Sequence, residues 1–219
     1  MLSIIIPTKE EPGIQNLVDK INEIIKQPHE IIIVDESKIQ PSVAGARLLK
    51  QQSHGLGNGV IEGIQQSSGD IILTMDGDGS HRPEDLPKLL SALSSNDVVL
   101  GSRFVRDGMT FDVTHRRYVS VLFRKFSSAV LGIGIEDPMS GLCAFKKSVL
   151  EKIQLKPLGM KIIMELVYKT KKAGYVCKEV PITFERRASG KSKSGASLSG
   201  FVEGLRIFRL AFELRLGLR

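Results

Sequence analysis

Ser3–Ile6 is an unbroken apolar run stopped by Pro7, the pattern of a strand buried on both faces. Ile14–Ile25 then places apolar residues at 14, 17, 18, 21, 24 and 25, the spacing of one helix face. Glu30–Val34 is a second apolar strand and ends at Asp35-Glu36. Gly55-Leu56-Gly57-Asn58-Gly59 opens a helix through Gln66. Ile71–Met75, entered through Gly69-Asp70, is a third strand and ends at Asp76-Gly77-Asp78-Gly79. Pro83–Ser91 reads as a helix with Glu84 and Asp85 in its first turn, where the helix dipole favours acids. Asp97–Leu100 is a fourth strand, and Ile39–Gln51 shows no clear period.

Apolar runs alternating with helices predict an α/β fold, a mostly parallel central sheet with helices on both faces. Ligands of such sheets bind beyond the carboxyl ends of the strands. Those ends carry Pro7–Glu11, Asp35-Glu36, Asp76–Ser80 and Gly101-Ser102-Arg103, so three acidic ends and one cationic end should converge on one edge.

The character changes after Arg103. Arg116–Leu131 reads as a basic amphipathic helix with an apolar stripe of Val119, Leu122, Phe123, Phe126 and Val130. Val176–Phe184 reads as a strand, and the Gly/Ser/Lys-rich Ala188–Ser199 as a mobile loop. Leu198–Leu216 is a second amphipathic helix; its apolar side is expected at Phe201, Val202, Leu205, Phe208 and Phe212, its polar side at Glu203, Arg206, Arg209 and Glu213. Both helices could pack on the sheet or lie in a membrane interface.

The 219 residues are 42% hydrophobic, enough for one sizeable core. The formal net charge of +7 points to an anionic partner. The excess gathers near the C-terminus, where Arg186–Arg219 holds eight Lys or Arg against Glu203 and Glu213. The two cysteines form no disulfide pattern, which predicts a reducing compartment and core roles for both. The N-terminal apolar run is too short for a signal peptide, and no run approaches the ~18 apolar residues of a membrane span.

Asp76 and Asp78, one glycine apart after a buried strand, suit a hard divalent cation, which takes oxygen ligands from one or two carboxylates and a substrate's phosphates. Asp-Gly is equally a plain turn signal. A calcium loop is excluded, because His81 and Pro87 stand where Gly and Glu are required. Val60 breaks the dinucleotide fingerprint, and Glu185 breaks a phosphate loop ending at Gly190-Lys191-Ser192.

Seven blocks in order carry a family resemblance: Pro7-Thr8-Lys9-Glu10-Glu11; Ile31–Asp35; Gly55-Leu56-Gly57 through Gly63 with Gly69-Asp70; Asp76 through Asp85; Gly101-Ser102-Arg103-Phe104 with Arg116–Ser120; Asp137-Pro138-Met139-Ser140-Gly141; and Glu179-Val180-Pro181-Ile182 with Phe184, Arg187, Gly190, Ser192 and Lys193. In these the chain resembles the dolichyl-phosphate mannose synthase branch of the family 2 glycosyltransferases, which have a GT-A fold. The resemblance implies a GT-A catalytic domain over residues 1–197, including an interfacial helix at about 116–131 and a mobile loop at about 188–197, followed by a basic amphipathic helix over 198–219.

It further implies an inverting transfer of mannose from GDP-mannose to dolichyl or another polyprenyl phosphate. The enzyme would work peripherally on the cytoplasmic side of a membrane, with Mg²⁺ or Mn²⁺ as cofactor, and a membrane-spanning partner subunit is compatible with it. Pro7, Lys9, Glu11, Asp35, Asp76, Gly77, Asp78 and Lys193 would bind the nucleotide sugar. Asp76, Asp78 and Ser80 would face the metal; Arg103, Arg116, Ser120 and Arg187 would bind the acceptor phosphate. Asp78, Arg103, Arg116, Arg187 and Lys193 are the implied catalytic set. Glu11 could instead be a first-turn helix residue, and Arg116 and Arg187 could be solvated charges. His81 adjoins the metal motif, but an ionised phosphate acceptor leaves it no proton to remove.

Lys9 stands where the family has tyrosine, and Ser37-Lys38-Ile39-Gln40 lacks the usual Asp-Gly-Thr, so a UDP-sugar donor is the alternative. A basic nucleic-acid-binding protein is the non-enzyme alternative. Nucleic acid is not expected as a partner, since aromatics are only 5% with no Trp to stack on bases.

Overall fold

In the computed structural model, the described residues are 1–111, 121, 125–156, 161–187 and 198–218, with the side chains of 198–203 set aside. The first apolar run becomes β1 (Leu2–Thr8), every residue of which is buried. β1 pairs in parallel with β2 (His29–Asp35) on one side and β4 (Ile71–Thr74) on the other. Pro7 fits because it lies past the end of the β4 ladder, whose last pair is Ile5↔Thr74. The unperiodic stretch before Gln51 contains a short outer strand, β3 (Arg47–Lys50), parallel to β2.

On the other side of β4 the sheet continues through β7 (Cys143–Lys146), β5 (Val98–Ser102) and β8 (Cys177–Pro181), giving the order β3-β2-β1-β4-β7-β5-β8. β8 is parallel to β5, and β7 runs antiparallel to both its neighbours. The expected mostly parallel sheet is present, with β7 reversed. The reversal matters for function. β5 ends at the carboxyl edge and β7 begins there, so both ends of the connection 103–142 lie beside the expected ligand edge.

The predicted strand Val176–Phe184 is interrupted at Ile182. β8 stops at Pro181, and β9 (Thr183–Phe184) leaves to pair with β6 (Met109–Thr110) in a two-stranded sheet.

Strand side chains alternate between two clusters. Ile4, Ile6, Ile31, Ile33 and Leu73 meet α1 (Ile14–Ile24) and α3 (Leu86–Leu93) on one face. Ile5, Ile32, Val34, Val98 and Leu100 meet α2 (Leu56–Gln66), α4 (125–131), α5 (Ile162–Lys172) and α6 (Leu198–Arg215) on the other. The predicted helix at Pro83 starts as a single 3₁₀ turn, Pro83–Asp85, before α3. Within the predicted helix 116–131, residues 112–120 and 122–124 lie outside the described residues, and Phe126 and Val130 pack against the second cluster as expected.

α6 docks by a different face from the expected one. Ile207, Leu210, Ala211 and Leu214 are buried, whereas Leu205 and Phe212 are about half exposed (53% and 51%). The helix carries two apolar stripes, and the sheet takes the aliphatic one. Phe208 and Phe212 turn instead to Phe126 of α4, at ring-centroid distances of 4.2 and 5.9 Å.

Candidate active site

The carboxyl edge collects the ends of β1, β2, β4, β5 and β8 and the start of β7. Asp76 and Asp78 leave β4 on a tight loop. A Cβ on Gly77 would come within 2.6 Å of Thr8 Cγ2, and Gly79 has φ +77°, so both glycines are required by the path of the chain. Asp78 is held firmly: its Oδ1 accepts the Ser80 N–H at 3.0 Å and the Ser80 hydroxyl at 2.5 Å. Ser80 is fully buried and its hydroxyl proton goes to Asp78, so it orients the carboxylate. Asp76 remains partly open, with 27% of its side chain exposed. Its two oxygens lie where a Cβ on Gly141 would sit, at 2.8 and 2.9 Å, so the start of the β7 segment is cut away to admit this carboxylate.

These oxygens fit a divalent cation of the magnesium or manganese type. Among the described residues no three His, Cys, Asp or Glu converge as a self-sufficient cage, and such cations commonly combine one or two carboxylates with substrate phosphates.

His81 is buried beneath the loop. Its Nδ1 accepts the Asp76 N–H at 3.2 Å, which places the ring proton on Nε2. Burial pushes its pKa below the ordinary imidazole value; Asp76, Asp78 and Asp137 pull upward against it, while Arg103 adds to the lowering. The folded protein therefore keeps His81 neutral, whereas the unfolded chain takes up a proton near pH 6.5. Protons thus favour the unfolded state. The stability His81 contributes is complete above that pH and is lost as pH falls below it. His81→Gln is expected to flatten the acid limb of the stability curve below pH 6.5 in urea melts at stepped pH.

The cationic side of the edge reaches this loop directly. Arg187, three residues past β9, places its Nε 2.7 Å from Asp78 Oδ2. The chain that delivers it is anchored to the acidic loop, because the Glu185 N–H donates to the Ser80 carbonyl and His81 bridges to Phe184.

Arg103 is held differently. Its Nε and Nη2 donate to the two oxygens of Asp137 at 2.8 and 2.9 Å, and Asp137 is fully buried. Glu179 of β8 fixes the aspartate in turn, accepting the Glu136 and Asp137 N–H groups at 2.7 Å each. Phe184 lies between the two halves of the site, 5.0 Å from the Arg103 guanidinium carbon and 5.2 Å from the His81 ring. Because Arg103 is only 12% exposed, Asp137→Ala would leave a largely desolvated cation without its bidentate partner. A loss of about 3 kcal/mol is expected in chemical unfolding, a cost that a solvated surface pair would not show.

Asp35 sits at the end of β2 and is also buried. It accepts the Thr8 hydroxyl at 2.8 Å, the Ser37 hydroxyl at 2.9 Å and the Ser37 N–H at 3.0 Å. Lys9 pairs with Glu36 at 3.1 Å. Burial raises the Glu36 pKa, but Lys9, the Gly55 N–H and His54 outweigh it and hold the carboxyl below its ordinary range. Glu11 lies in the turn before α1, with its carbonyl accepting the Ile14 N–H. Pro7 packs beside Gly59, whose added Cβ would stand 3.4 Å away. Arg116, Ser120 and Lys193 lie outside the described residues. Cys143 is enclosed in the core, and burial raises its thiol and that of Cys177, which suits neither to be a nucleophile.

Asp137, Glu179, Phe184 and Glu36 carry no site role in the sequence alone, although the first three fall inside the family-like blocks and Glu36 shares the acidic strand end with Asp35.

Comparisons with known proteins place the chain in a family and a fold. Residues 3–154 match the model of glycosyl transferase family 2. The dolichol-phosphate mannosyltransferase of Pyrococcus furiosus is 34% identical over 211 residues, covering 88% of this chain and 58% of that protein, so the chain spans little more than half the relative's length. The polyprenol monophosphomannose synthase of Mycolicibacterium smegmatis is 32% identical over 215 residues, covering 89% of this chain and 81% of that protein. A crystal structure of glucosyl-3-phosphoglycerate synthase from Mycobacterium tuberculosis, in complex with Mn²⁺, UDP-glucose and phosphoglyceric acid, shares the fold at a TM-score of 0.74 and 19% identity, covering 99% of this chain and 80% of that one. The architecture is the GT-A fold expected from the sequence. With more than half its length matched and an acidic loop set at the carboxyl edge of the sheet, the chain belongs to glycosyl transferase family 2.

Proposed function

We propose that the protein transfers a sugar from a nucleotide diphosphate donor to a polyprenyl phosphate at a membrane surface, with GDP-mannose as donor. The observation that carries this reading is the 2.7 Å contact between Arg187 and Asp78: the side chain suited to an acceptor phosphate already touches the carboxylate suited to the donor's cation. The names of the two relatives, both polyprenol-type phosphate mannosyltransferases, support the acceptor class.

Asp78 and Asp76 would hold the divalent cation, which when bound supplies neutralisation of the leaving diphosphate. The chain's own residues do the rest. A phosphate monoester, with a second pKa of about 6, is already a nucleophile at neutral pH and needs no general base. Neutral His81, with Nδ1 occupied, is consistent with that. Arg187, with Arg103, Arg116 and Ser120 from the resemblance, would orient the acceptor through charge-assisted N–H bonds to phosphate oxygens; Arg103 spends its Nε–Nη2 edge on Asp137 and would reach the phosphate only through Nη1. An acceptor oxygen attacks the anomeric carbon. The bond to the donor diphosphate breaks with its electron pair leaving on that diphosphate, and configuration inverts.

No helix among the described residues is long and apolar enough to cross a membrane. The exposed Leu205, Phe212, Leu216 and Leu218 of the α6 region suit interfacial contact instead.

A UDP-hexose donor is the second reading. It is favoured by Lys9, which is tied to Glu36 where the family carries an aromatic ring. A panel of GDP-mannose, UDP-glucose and UDP-N-acetylglucosamine, with a short polyprenyl phosphate and Mn²⁺, tests both by lipid-soluble product. Product from GDP-mannose alone is expected; product from a UDP-sugar alone replaces the donor, and none from any donor removes the acceptor class.

A further inference from the structure

A groove of about 550 Å³ opens at the amino edge of the sheet, the edge opposite Asp76 and Asp78. It lies where the turn after β7, the end of α5 and the end of α6 meet. Lys152, Lys156, Lys169, Lys172 and Arg215 line it, with no carboxylate in the lining. Lys169 is neutralised, 2.7 Å from Glu165 and bonded to the Gln154 carbonyl. Lys152, Lys156, Lys172 and Arg215 make no ion pair among the described residues. Several cations elsewhere in the fold are matched, Lys9 with Glu36, Lys88 with Asp85, Arg103 with Asp137 and Lys146 with Asp97, and what sets the groove apart is that its lone cations share one concavity. Two of the unmatched amines are also steadied by aromatic faces, Lys152 over Tyr175 at 5.3 Å and Lys172 over Tyr168 at 5.8 Å. Four like charges around one concavity repel one another unless an anion enters it.

The groove borders apolar surface. Leu216 and Leu218, immediately beyond Arg215, are 68% and 69% exposed, and Phe212 is half exposed one turn earlier. Unmatched cations beside exposed leucines suit phosphate groups lying over acyl chains. A nucleic-acid partner would find the nearby tyrosine faces already covered by lysines.

We propose that this groove binds the phosphate headgroups of anionic phospholipids and so seats the C-terminal end of α6 on the bilayer. The proposal deepens the membrane-surface part of the proposed function and rests on that part alone, not on the donor or the transfer chemistry. α6 has 18 residues and is about 27 Å long, so an anchor at its far end fixes how the whole helix lies on the membrane.

Co-sedimentation of the full chain with vesicles tests it, using phosphatidylcholine alone or mixed with phosphatidylglycerol. Binding is expected to require phosphatidylglycerol and to weaken with salt. The double variant Lys152→Ala/Lys172→Ala is expected to weaken binding roughly twenty-five-fold, about five-fold per charge removed near an anionic surface. The double variant Lys20→Ala/Lys26→Ala removes the same charge from the exposed side of α1 and the turn just past it, and is expected to leave binding nearly unchanged. Equal losses in the two variants, or equal binding to both vesicle types, would overturn the proposal. So would calorimetry showing that inorganic phosphate or a DNA duplex occupies the groove more tightly than vesicles do. Transfer to a short polyprenyl phosphate in solution, without vesicles, is expected to be the same in both variants and wild type; its absence in all three would count against the transferase reading and leave the headgroup site standing.

Discussion

Asp78→Asn is expected to reduce cation-dependent sugar transfer by about a thousand-fold, the upper range for losing one preorganised electrostatic contact to a developing charge. The substitution keeps the shape of the side chain and an oxygen that can still accept from the Ser80 hydroxyl and N–H. It removes the negative charge that a hard divalent cation requires. Mn²⁺ binding, followed by calorimetry, should vanish with activity. Stability should fall by no more than about 1 kcal/mol, because the partner left behind is solvent-accessible: Arg187 is 34% exposed and can turn to water. The contrast with Asp137 is the diagnostic. Both aspartates pair with an arginine, but only Asp137 leaves a desolvated cation when removed. Undiminished cation-dependent activity in Asp78→Asn would mean that the ion is held elsewhere.

The sequence was most legible where burial is complete. β1, β2, β4 and β5 carry helices on both faces, so their residues are apolar without alternation and stand out from the turns around them. α1 was legible for the opposite reason, because one face meets solvent and the 3.6-residue period survives. α5 gave no such period. Ile162 through Tyr168 are all buried, including Glu165, and turns enclosed on every side have no polar face to mark them; only the last turn, at Lys169–Lys172, reaches the surface. β7 is four residues long, and its reversed direction is set by a connection of some forty residues returning to the edge it left, which no local pattern records. α6 offered two apolar stripes, and only the shape of the sheet decides between them.

The site divides in the same way. Asp76 and Asp78 were legible because the chemistry lies within three residues and follows a strand. The pairing of Arg103 with Asp137 joins positions 34 apart, so a lone acid in a loop announces nothing until the fold brings its partner. Ser80 has the composition of a ligand, yet its burial directs its hydroxyl to the neighbouring carboxylate.

Arg187→Ala is expected to move two measurements in opposite directions. Arg187 Nε and a bound cation address the same carboxylate, and Arg187 already stands 2.7 Å from its Oδ2. Removing the guanidinium removes a competitor, so Mn²⁺ should bind Asp78 more tightly; because the arginine is partly solvated, the gain should be only a few-fold. The acceptor loses a charge-assisted hydrogen-bonding group, which contributes about 1.5–3 kcal/mol, so kcat/KM for polyprenyl phosphate should fall about ten- to a hundred-fold. The KM for the donor should stay close to wild type. A residue needed only to support the loop could not produce this pattern, since loosening Asp78 would weaken cation binding and transfer together. By linkage, an acceptor phosphate that draws Arg187 away from Asp78 must also raise the affinity of the site for the cation, and the cation must favour the acceptor to the same extent. That reciprocity should be visible as tighter Mn²⁺ binding in the presence of a short polyprenyl phosphate in the wild type and should disappear in Arg187→Ala. If Mn²⁺ binds more weakly in the variant while acceptor use is unchanged, Arg187 holds the acidic loop in shape and the acceptor is gripped by other groups.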